Sequence, residues 1–214
     1  MESTKQITKA MEMVAASKLR RAQAQVLDAR PYFETLYAAI QDIVQNNRDF
    51  SSPYLAQREV KKSLYVVIAG DRGLAGGYNS NVLKLTMEQM QGKDAAVLPI
   101  GKKAVDYFRS HNVEMLSAPY AEAENVSVGD CFSISKQLSK VFLKGEYDEI
   151  FIVYTNFISV LSQSPAVMQI LPLCCEAQDK ADNKGSDILY EPDSETVFAS
   201  IIPEYLGGIL YGAL

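Results

Sequence analysis

The first thirty residues place apolar and polar side chains with the period of a helix. Between Ser3 and Arg30 there is no glycine or proline, and residues of high helix propensity dominate. The apolar positions recur every three or four residues and form one stripe: Ile7, Met11, Val14, Ala15, Leu19, Ala22 and Val26. Because alanine lets another helix backbone come close, the stripe predicts one half of a coiled coil.

The helical period continues beyond Pro31, through Leu36, Ile40 and Ile43. Proline removes a helix hydrogen bond and clashes with the preceding turn. The sequence therefore leaves two alternatives, two helices that meet at Pro31 or one long helix that is kinked there. In both cases a long helical region precedes the first strand.

From Ser63 onward the pattern changes to short apolar runs separated by amphipathic segments. The runs predict strands at residues 63–69, 95–100, 113–116 and 150–154. The amphipathic segments predict helices at residues 82–91, 102–112 and 130–143. Asn79–Asn81 and Asp130 are the expected caps of the first and last of these helices. Such alternation predicts a mostly parallel sheet with helices on its faces.

The next apolar segment, Val160–Leu173, follows its predecessor without space for a crossover helix. It is therefore expected to pair antiparallel at a sheet edge, where Pro165 and Pro172 are tolerated. Near the end of the chain, Ser194 is the expected cap of a helical region, and Pro203 suits the first turn of a second helical piece.

The predicted fold class is α/β, with a long coiled-coil helix and a Rossmann-like three-layer domain that has an antiparallel edge strand. The expected domains are an N-terminal helix at residues 1–58, the α/β domain at 59–192, and the start of a C-terminal helix at 193–214.

Charge is unevenly distributed along the chain. The net charge is −5, which argues against a free-standing nucleic-acid binder. The first helix nevertheless carries a cluster of cations: Lys5, Lys9, Lys18, Arg20, Arg21 and Arg30. Three interpretations remain open for them, namely a solvated face, a surface for anionic lipid, and a contact with acidic loops of a protein partner.

The glycine-rich turn after the first strand is the most tempting candidate for chemistry. Its glycines are Gly70, Gly73, Gly76 and Gly77. Their spacing matches neither the dinucleotide-binding G-x-G-x-x-G nor the phosphate-binding P-loop, so a structural tight turn is the favoured interpretation. Asp71 is a candidate base or metal ligand, but an aspartate at this position more often bonds nearby amides in an Asx-turn.

The remaining reactive side chains form no recognisable site. His111 is the only histidine and is interpreted as a surface residue at a helix end. Cys131, Cys174 and Cys175 cannot form an even disulfide framework and are interpreted as reduced thiols. We expect no catalytic site, no metal and no cofactor.

Four segments together resemble one family, the γ subunit of F-type ATP synthases. TKQITKAMEMVAASKLRRAQ (Thr4–Gln23) is similar to its N-terminal helix signature. GDRGLAGGYN (Gly70–Asn79) is similar to its D-R-G-L-C-G-G-x-N turn, with Ala75 where cysteine is frequent. LSQSPAVMQILPL (Leu161–Leu173) and the YEPDSE…IIPEYL region (Tyr190–Leu206) match in type and order.

The resemblance implies a central rotor shaft that couples proton translocation to ATP synthesis or hydrolysis in the β subunits. The implied partners are the α3β3 hexamer, the ε subunit and the membrane c-ring. The resemblance implies that the shaft has no catalytic activity of its own and binds no nucleic acid. It lies on the cytoplasmic side of the bacterial membrane and is held there only by the other subunits of the complex. The residues implied to face the acidic loops of the hexamer are Lys9, Met11, Lys18, Arg20 and Arg21.

The resemblance also carries two departures. Family chains begin about a dozen residues before the equivalent of Thr4 and continue with a long helix beyond the equivalent of Leu214, so this chain is expected to be a truncated form. Separately, the resemblance implies a structural role for a set of residues in the glycine-rich turn: Gly70, Asp71, Arg72, Gly73, Gly76, Gly77 and Asn79. The alternative function is a nucleotide- or metabolite-binding α/β protein with a helical arm.

Overall fold

The computed structural model of the chain describes residues 2–46, 51–73, 75–117, 120, 122–159, 162–173 and 190–214. Cys174 and Cys175, and the first two residues of the predicted strand 160–173, lie outside the described residues. The chain divides into two compact units, Met1–Ala39 and Ile40–Leu214.

The first unit is helical throughout its described length. Helix α1 spans Glu2–Asn46 and contains Pro31, so the structure has one helix here rather than two. Thr35 Oγ1 donates a hydrogen bond of 2.8 Å to the Pro31 carbonyl one turn earlier. The apolar stripe is exposed, with Ile7, Met11 and Val14 at 59%, 67% and 58% of full exposure.

The second unit is built on a four-stranded sheet. Its strands are β1 (Ser63–Ile68), β2 (Ala95–Ile100), β3 (Glu149–Ser159) and β4 (Ser162–Leu171), in the spatial order β2-β1-β3-β4. β1 is parallel to β2 and to β3, whereas β4 runs antiparallel to β3 at the edge. The predicted α/β class and the antiparallel edge strand are confirmed.

The prediction of a strand at residues 113–116 is wrong. Only Met115 forms a bridge, to Val97 of β2, and it is isolated. β3 is also longer than the predicted 150–154, since its pairing with β4 continues as a two-stranded ribbon as far as Ser159.

Four further helices and one 3-10 turn complete the unit. They are α2 (Tyr78–Met90), α3 (Lys102–Ser110), the 3-10 turn (Ala123–Asn125), α4 (Val128–Leu143) and α5 (Ser194–Ala213). α5 is one helix that passes through Pro203, so the predicted break into two pieces is wrong.

Three predicted caps are corrected by the structure. α4 is capped by Ser127, with Asp130 completing a capping box three residues later, because the hydroxyl and the carboxylate each bond the other residue's backbone N–H. α5 is capped by Asp193 rather than by Ser194. α2 begins at Tyr78 with Gly77 before it, and Asn79 has another role.

Around β1 both faces of the sheet are buried, and successive side chains of the strand point to opposite faces. Leu64, Val66 and Ile68 belong to a core cluster that includes residues of α4 and α5 and the last turns of α1. Tyr65 and Val67 belong to a second cluster, which includes residues of α2 and α3. This accounts for the apolar run Leu64–Ile68, since all six residues of β1 are buried.

Candidate functional site

The glycine-rich turn leaves the carboxyl end of β1 and is closed by a side-chain amide. Asn79 Oδ1 accepts a hydrogen bond of 2.8 Å from the Gly70 backbone N–H. Asn79 Nδ2 donates a hydrogen bond of 3.0 Å to the Arg72 carbonyl. Asn79 therefore ties two points of the turn to the first turn of α2, and it does not cap that helix as the sequence suggested.

Asp71 bonds distant backbone amides, so the predicted Asx-turn is wrong. Its carboxylate accepts hydrogen bonds from the N–H groups of Lys102 (3.0 Å), Ala123 (2.9 Å) and Glu124 (3.0 Å). Burial by itself would raise the pKa of Asp71, but these three donors, with the charge of Arg72, outweigh it and lower the pKa. The carboxylate thus joins the turn to α3 and to the 3-10 turn.

Gly101 is the residue that sequence reasoning missed. Its φ of +94° favours glycine, and a Cβ at this position would lie 1.9 Å from the carbonyl oxygen of Ala69. The Gly101 N–H donates a hydrogen bond of 2.9 Å to the Tyr120 carbonyl. Two residues later, the Lys103 N–H donates a hydrogen bond of 3.1 Å to the Gly70 carbonyl. A glycine between a strand and a helix was the available signal, since it marks a close approach of two backbones.

The other turn residues form weaker contacts. Arg72 is 3.8 Å from Glu124, and its side chain is 86% exposed, so this ion pair contributes little to stability. Gly76 has a φ of +56°. A Cβ on Gly77 would lie 2.8 Å from the side-chain nitrogen Nδ2 of Asn81. A Cβ on Gly73 would have only the flexible Lys103 side chain within 4 Å.

A cavity of about 300 Å³ lies between the turn and the β3–β4 ribbon. Its lining residues are Ala75, Gly77, Tyr78, Asn81, Thr155, Gln163 and Pro165. None of these side chains carries a formal charge. The described residues contain no group of three His, Cys, Asp or Glu side chains placed to hold a metal ion.

His111 and Cys131 both have structural surroundings. His111 is exposed at the end of α3, where Nδ1 lies 2.8 Å from the Tyr107 carbonyl and the ring stacks on Tyr107. Cys131 is buried in the core, and burial, with the nearby charge of Asp130, raises the pKa of its thiol to about 12. A thiol with that pKa stays protonated and is a poor nucleophile.

The basic candidates all lie on α1 within the first unit. Lys9, Met11, Lys18, Arg20 and Arg21 are exposed there. Arg30, on the same helix, forms an exposed ion pair of 2.8 Å with Glu34, which is a short-range surface contact. Exposed cations and exposed apolar side chains therefore lie on the same helix, in the first unit.

Known proteins resemble the whole chain. The family model described as ATP synthase matches residues 1–214. The ATP synthase gamma chain of Ruminococcus albus is 39% identical over 218 residues, covering 100% of this chain and 75% of the relative. That of Moorella thermoacetica is 39% identical over 215 residues, with the same coverage. The chain belongs to the ATP synthase gamma chain family.

A solved structure shows the same fold. A chain in the central stalk and c-ring structure of the Tetrahymena thermophila mitochondrial ATP synthase superposes with a TM-score of 0.66. The two chains are 20% identical, and the match covers 97% of this chain and 90% of that one. Among the helices that the structure describes, none is both long and apolar enough to cross a membrane.

Membership of the gamma chain family confirms the identification made from four sequence segments. Of the two functions considered from the sequence, it supports the rotor subunit over the nucleotide- or metabolite-binding α/β protein with a helical arm. The turn at residues 70–79, which resembled a phosphate loop in its glycine content, has its principal polar groups bonded to the gamma chain's own backbone.

Proposed function

We propose that this chain is the central rotor shaft of an ATP synthase, which couples proton translocation to ATP synthesis or hydrolysis in the β subunits. It has no catalytic site and binds no cofactor itself. The observation that carries the proposal is the exposure, on one gamma chain helix, of both an apolar stripe and a set of cations.

The apolar stripe supports a shaft built from two helices. Full burial of a side chain such as Ile7, Met11 or Val14 is worth about 1.5–3 kcal/mol, so covering several of them yields a stable helical pair. The alanines of the stripe, Ala15 and Ala22, are exposed as well and leave room for a close antiparallel helix.

The cations support a contact with the acidic loops of an α3β3 hexamer. Lys9, Lys18, Arg20 and Arg21 are exposed, as is Met11 of the apolar stripe. Complementary charge at such a contact sets its register and raises the rate of association. Because these cations lie at the surface of the chain, added salt should screen the attraction and weaken binding.

The domains then have separate roles. In the proposed division, α1 (Glu2–Asn46), within the predicted domain 1–58, supplies the helical shaft. Domain 59–192 holds ε and rests on the c-ring, and domain 193–214 begins the returning helix. The chain is peripheral, on the cytoplasmic side of a bacterial membrane, and associates with it only through the complex.

Binding of the chain to a separately prepared α3β3 hexamer tests the proposal. We expect the double substitution Arg20→Glu and Arg21→Glu to weaken binding at least tenfold at low salt, since two attractions become two repulsions. The matched control is Lys136→Glu with Lys140→Glu, which makes the same change in charge at exposed positions of α4. Equal binding by the two double variants would contradict the proposed contact.

Calorimetry with ATP, ADP and NAD tests the other function. The rotor proposal predicts no binding of any of them by the isolated chain. A dissociation constant in the low micromolar range, together with an increase in melting temperature, would instead favour a nucleotide-binding protein.

A further inference from the structure

The four residues that lead into α5 also contact the last turns of α1. We propose that this bracket (residues 190–193) locks the base of α1 to the start of α5, with Tyr190 as the residue that positions the two helices. The inference rests on the proposed rotor function, since it assigns a route by which a twist of the α/β domain reaches both helices of the shaft.

The bracket is held to α1 by a short hydrogen bond. The Tyr190 hydroxyl donates to Asp42 Oδ2 at 2.6 Å, although the two residues are 148 positions apart in the chain. Both residues are half-buried, so water competes for this bond less than it does at an open surface. Burial, together with the hydrogen bond and the charge of Asp42, raises the pKa of Tyr190 to about 12. The phenol therefore stays protonated, and remains a donor, at physiological pH.

At its other end the bracket is held to α5 by the helix cap. Asp193 accepts hydrogen bonds from the backbone N–H and the hydroxyl of Thr196, at 2.7 and 2.8 Å. Only two residues separate Tyr190 from this cap, and one of them, Pro192, has a ring that restricts the backbone. A displacement of Asp42 is therefore passed to the first turn of α5 through a short connection with little slack.

Buried apolar side chains hold both helix ends against the same core. Ile40 and Ile43, in the last turns of α1, are 1% and 0% exposed. Phe198 and Ile202 of α5 are fully buried as well, and all four belong to one core cluster, against which Tyr190 packs. Apolar burial keeps the helix ends together, but it is non-directional and does not by itself fix their rotation. The bracket adds the directional bond that does so.

A double-mutant cycle tests the bond within the full chain. Tyr190→Phe removes the donor and keeps the ring, whereas Asp42→Ala removes the acceptor. We expect each substitution to accelerate amide exchange about tenfold at residues 40–46 of α1 and at residues 196–202 of α5, because a hydrogen bond to a charged group is lost. The double variant should exchange no faster than the faster single variant. Additive effects would refute the bond, and acceleration confined to one helix would refute the bracket.

Rotation in an assembled α3β3 complex tests the role of the bracket. With the hexamer fixed to a surface, a particle attached to the α/β domain reports the angle of the shaft. The thermal spread of that angle during pauses increases when the connection between the domain and the shaft softens. Tyr190→Phe should therefore increase the variance of the angle and leave the rate of ATP hydrolysis unchanged, since it lies outside the residues proposed to contact the hexamer. Asp42→Ala should do the same, and it provides the test if Tyr190→Phe does not fold.

The matched control is Tyr211→Phe. Tyr211 is a half-buried residue of α5 that packs against the same core cluster, and its hydroxyl forms no hydrogen bond with the part of the chain that the structure describes. The same group is thus deleted without loss of a link between α1 and α5, so the variance of the angle should not change. A chain that binds the hexamer but does not rotate would contradict the rotor function itself. Rotation with equal variance for Tyr190→Phe and Tyr211→Phe would contradict the bracket alone.

Discussion

The contact between α4 and α5 at Gly207 allows a sharp prediction about packing. Gly207 is buried within α5, and a Cβ added there would lie 2.5 Å from Cδ1 and 2.9 Å from Cε1 of Phe132 on α4. An ordinary carbon contact is about 3.5–4.0 Å, so Gly207→Ala requires the Phe132 ring or the helix to move by about 1 Å.

Two opposing terms set the size of the effect. Inserting a methyl group into a packed core costs about 1–3 kcal/mol. Replacing glycine by alanine within a helix recovers up to about 1 kcal/mol of propensity. The sum predicts a net destabilisation of about 1–2 kcal/mol for Gly207→Ala, which is about 2–8 °C in melting temperature for a domain of this size.

The same helix supplies the control. A Cβ on Gly212 would meet nothing within 4 Å, and its φ is not in the left-handed region. Gly212→Ala should therefore keep only the favourable propensity term and stabilise the chain by a few tenths of a kcal/mol, up to about 1 kcal/mol.

Urea unfolding of both variants, with calorimetry for the melting temperature, measures the difference. A third variant, which combines Gly207→Ala with Phe132→Leu, should recover part of the loss because the smaller side chain makes room. If Gly207→Ala proves as stable as Gly212→Ala, the close approach of α4 and α5 is refuted.

Two further predictions concern the turn. Gly101→Ala should prevent folding or cost more than about 4 kcal/mol, because its Cβ would collide with the Ala69 backbone; Gly92→Ala, also at positive φ but in open space, should cost only about 1 kcal/mol in urea unfolding. The pKa of Asp71 lies below its ordinary value of 3.8 in the folded chain, so its stabilisation is present above that pH and is lost as the pH falls through the folded pKa. The difference in unfolding free energy between the unaltered chain and Asp71→Asn should therefore shrink between about pH 5 and pH 2, and a difference that is constant with pH would contradict the assignment.

Periodicity was sufficient for the main strands of the α/β unit, although it also predicted a strand at residues 113–116 that the structure does not have. The alternation of short apolar runs with amphipathic segments predicted the three parallel strands, and the lack of a crossover helix before β4 predicted its antiparallel pairing. These signals are local, since they arise from which side chains must be buried on each face of one element.

Local signals failed where a distant segment supplied the partner. Asn79 has a side chain suited to capping, yet it bonds Gly70 and Arg72 of the preceding turn instead. Likewise, Pro203 looked like the start of a helix, but packing of α5 against α4 and the core maintains one helix through it.

The sequence by itself determined the α/β class, the exposed basic helix and the family, because composition, periodicity and four ordered segments are properties of the chain alone. Only the tertiary structure decided what the glycine-rich turn does. The hydrogen-bond donors to Asp71 come from residues 102, 123 and 124, and the clash that requires Gly101 comes from the backbone of Ala69. Sheet order brings these atoms together, and no spacing along the chain encodes a contact across 30 to 50 residues.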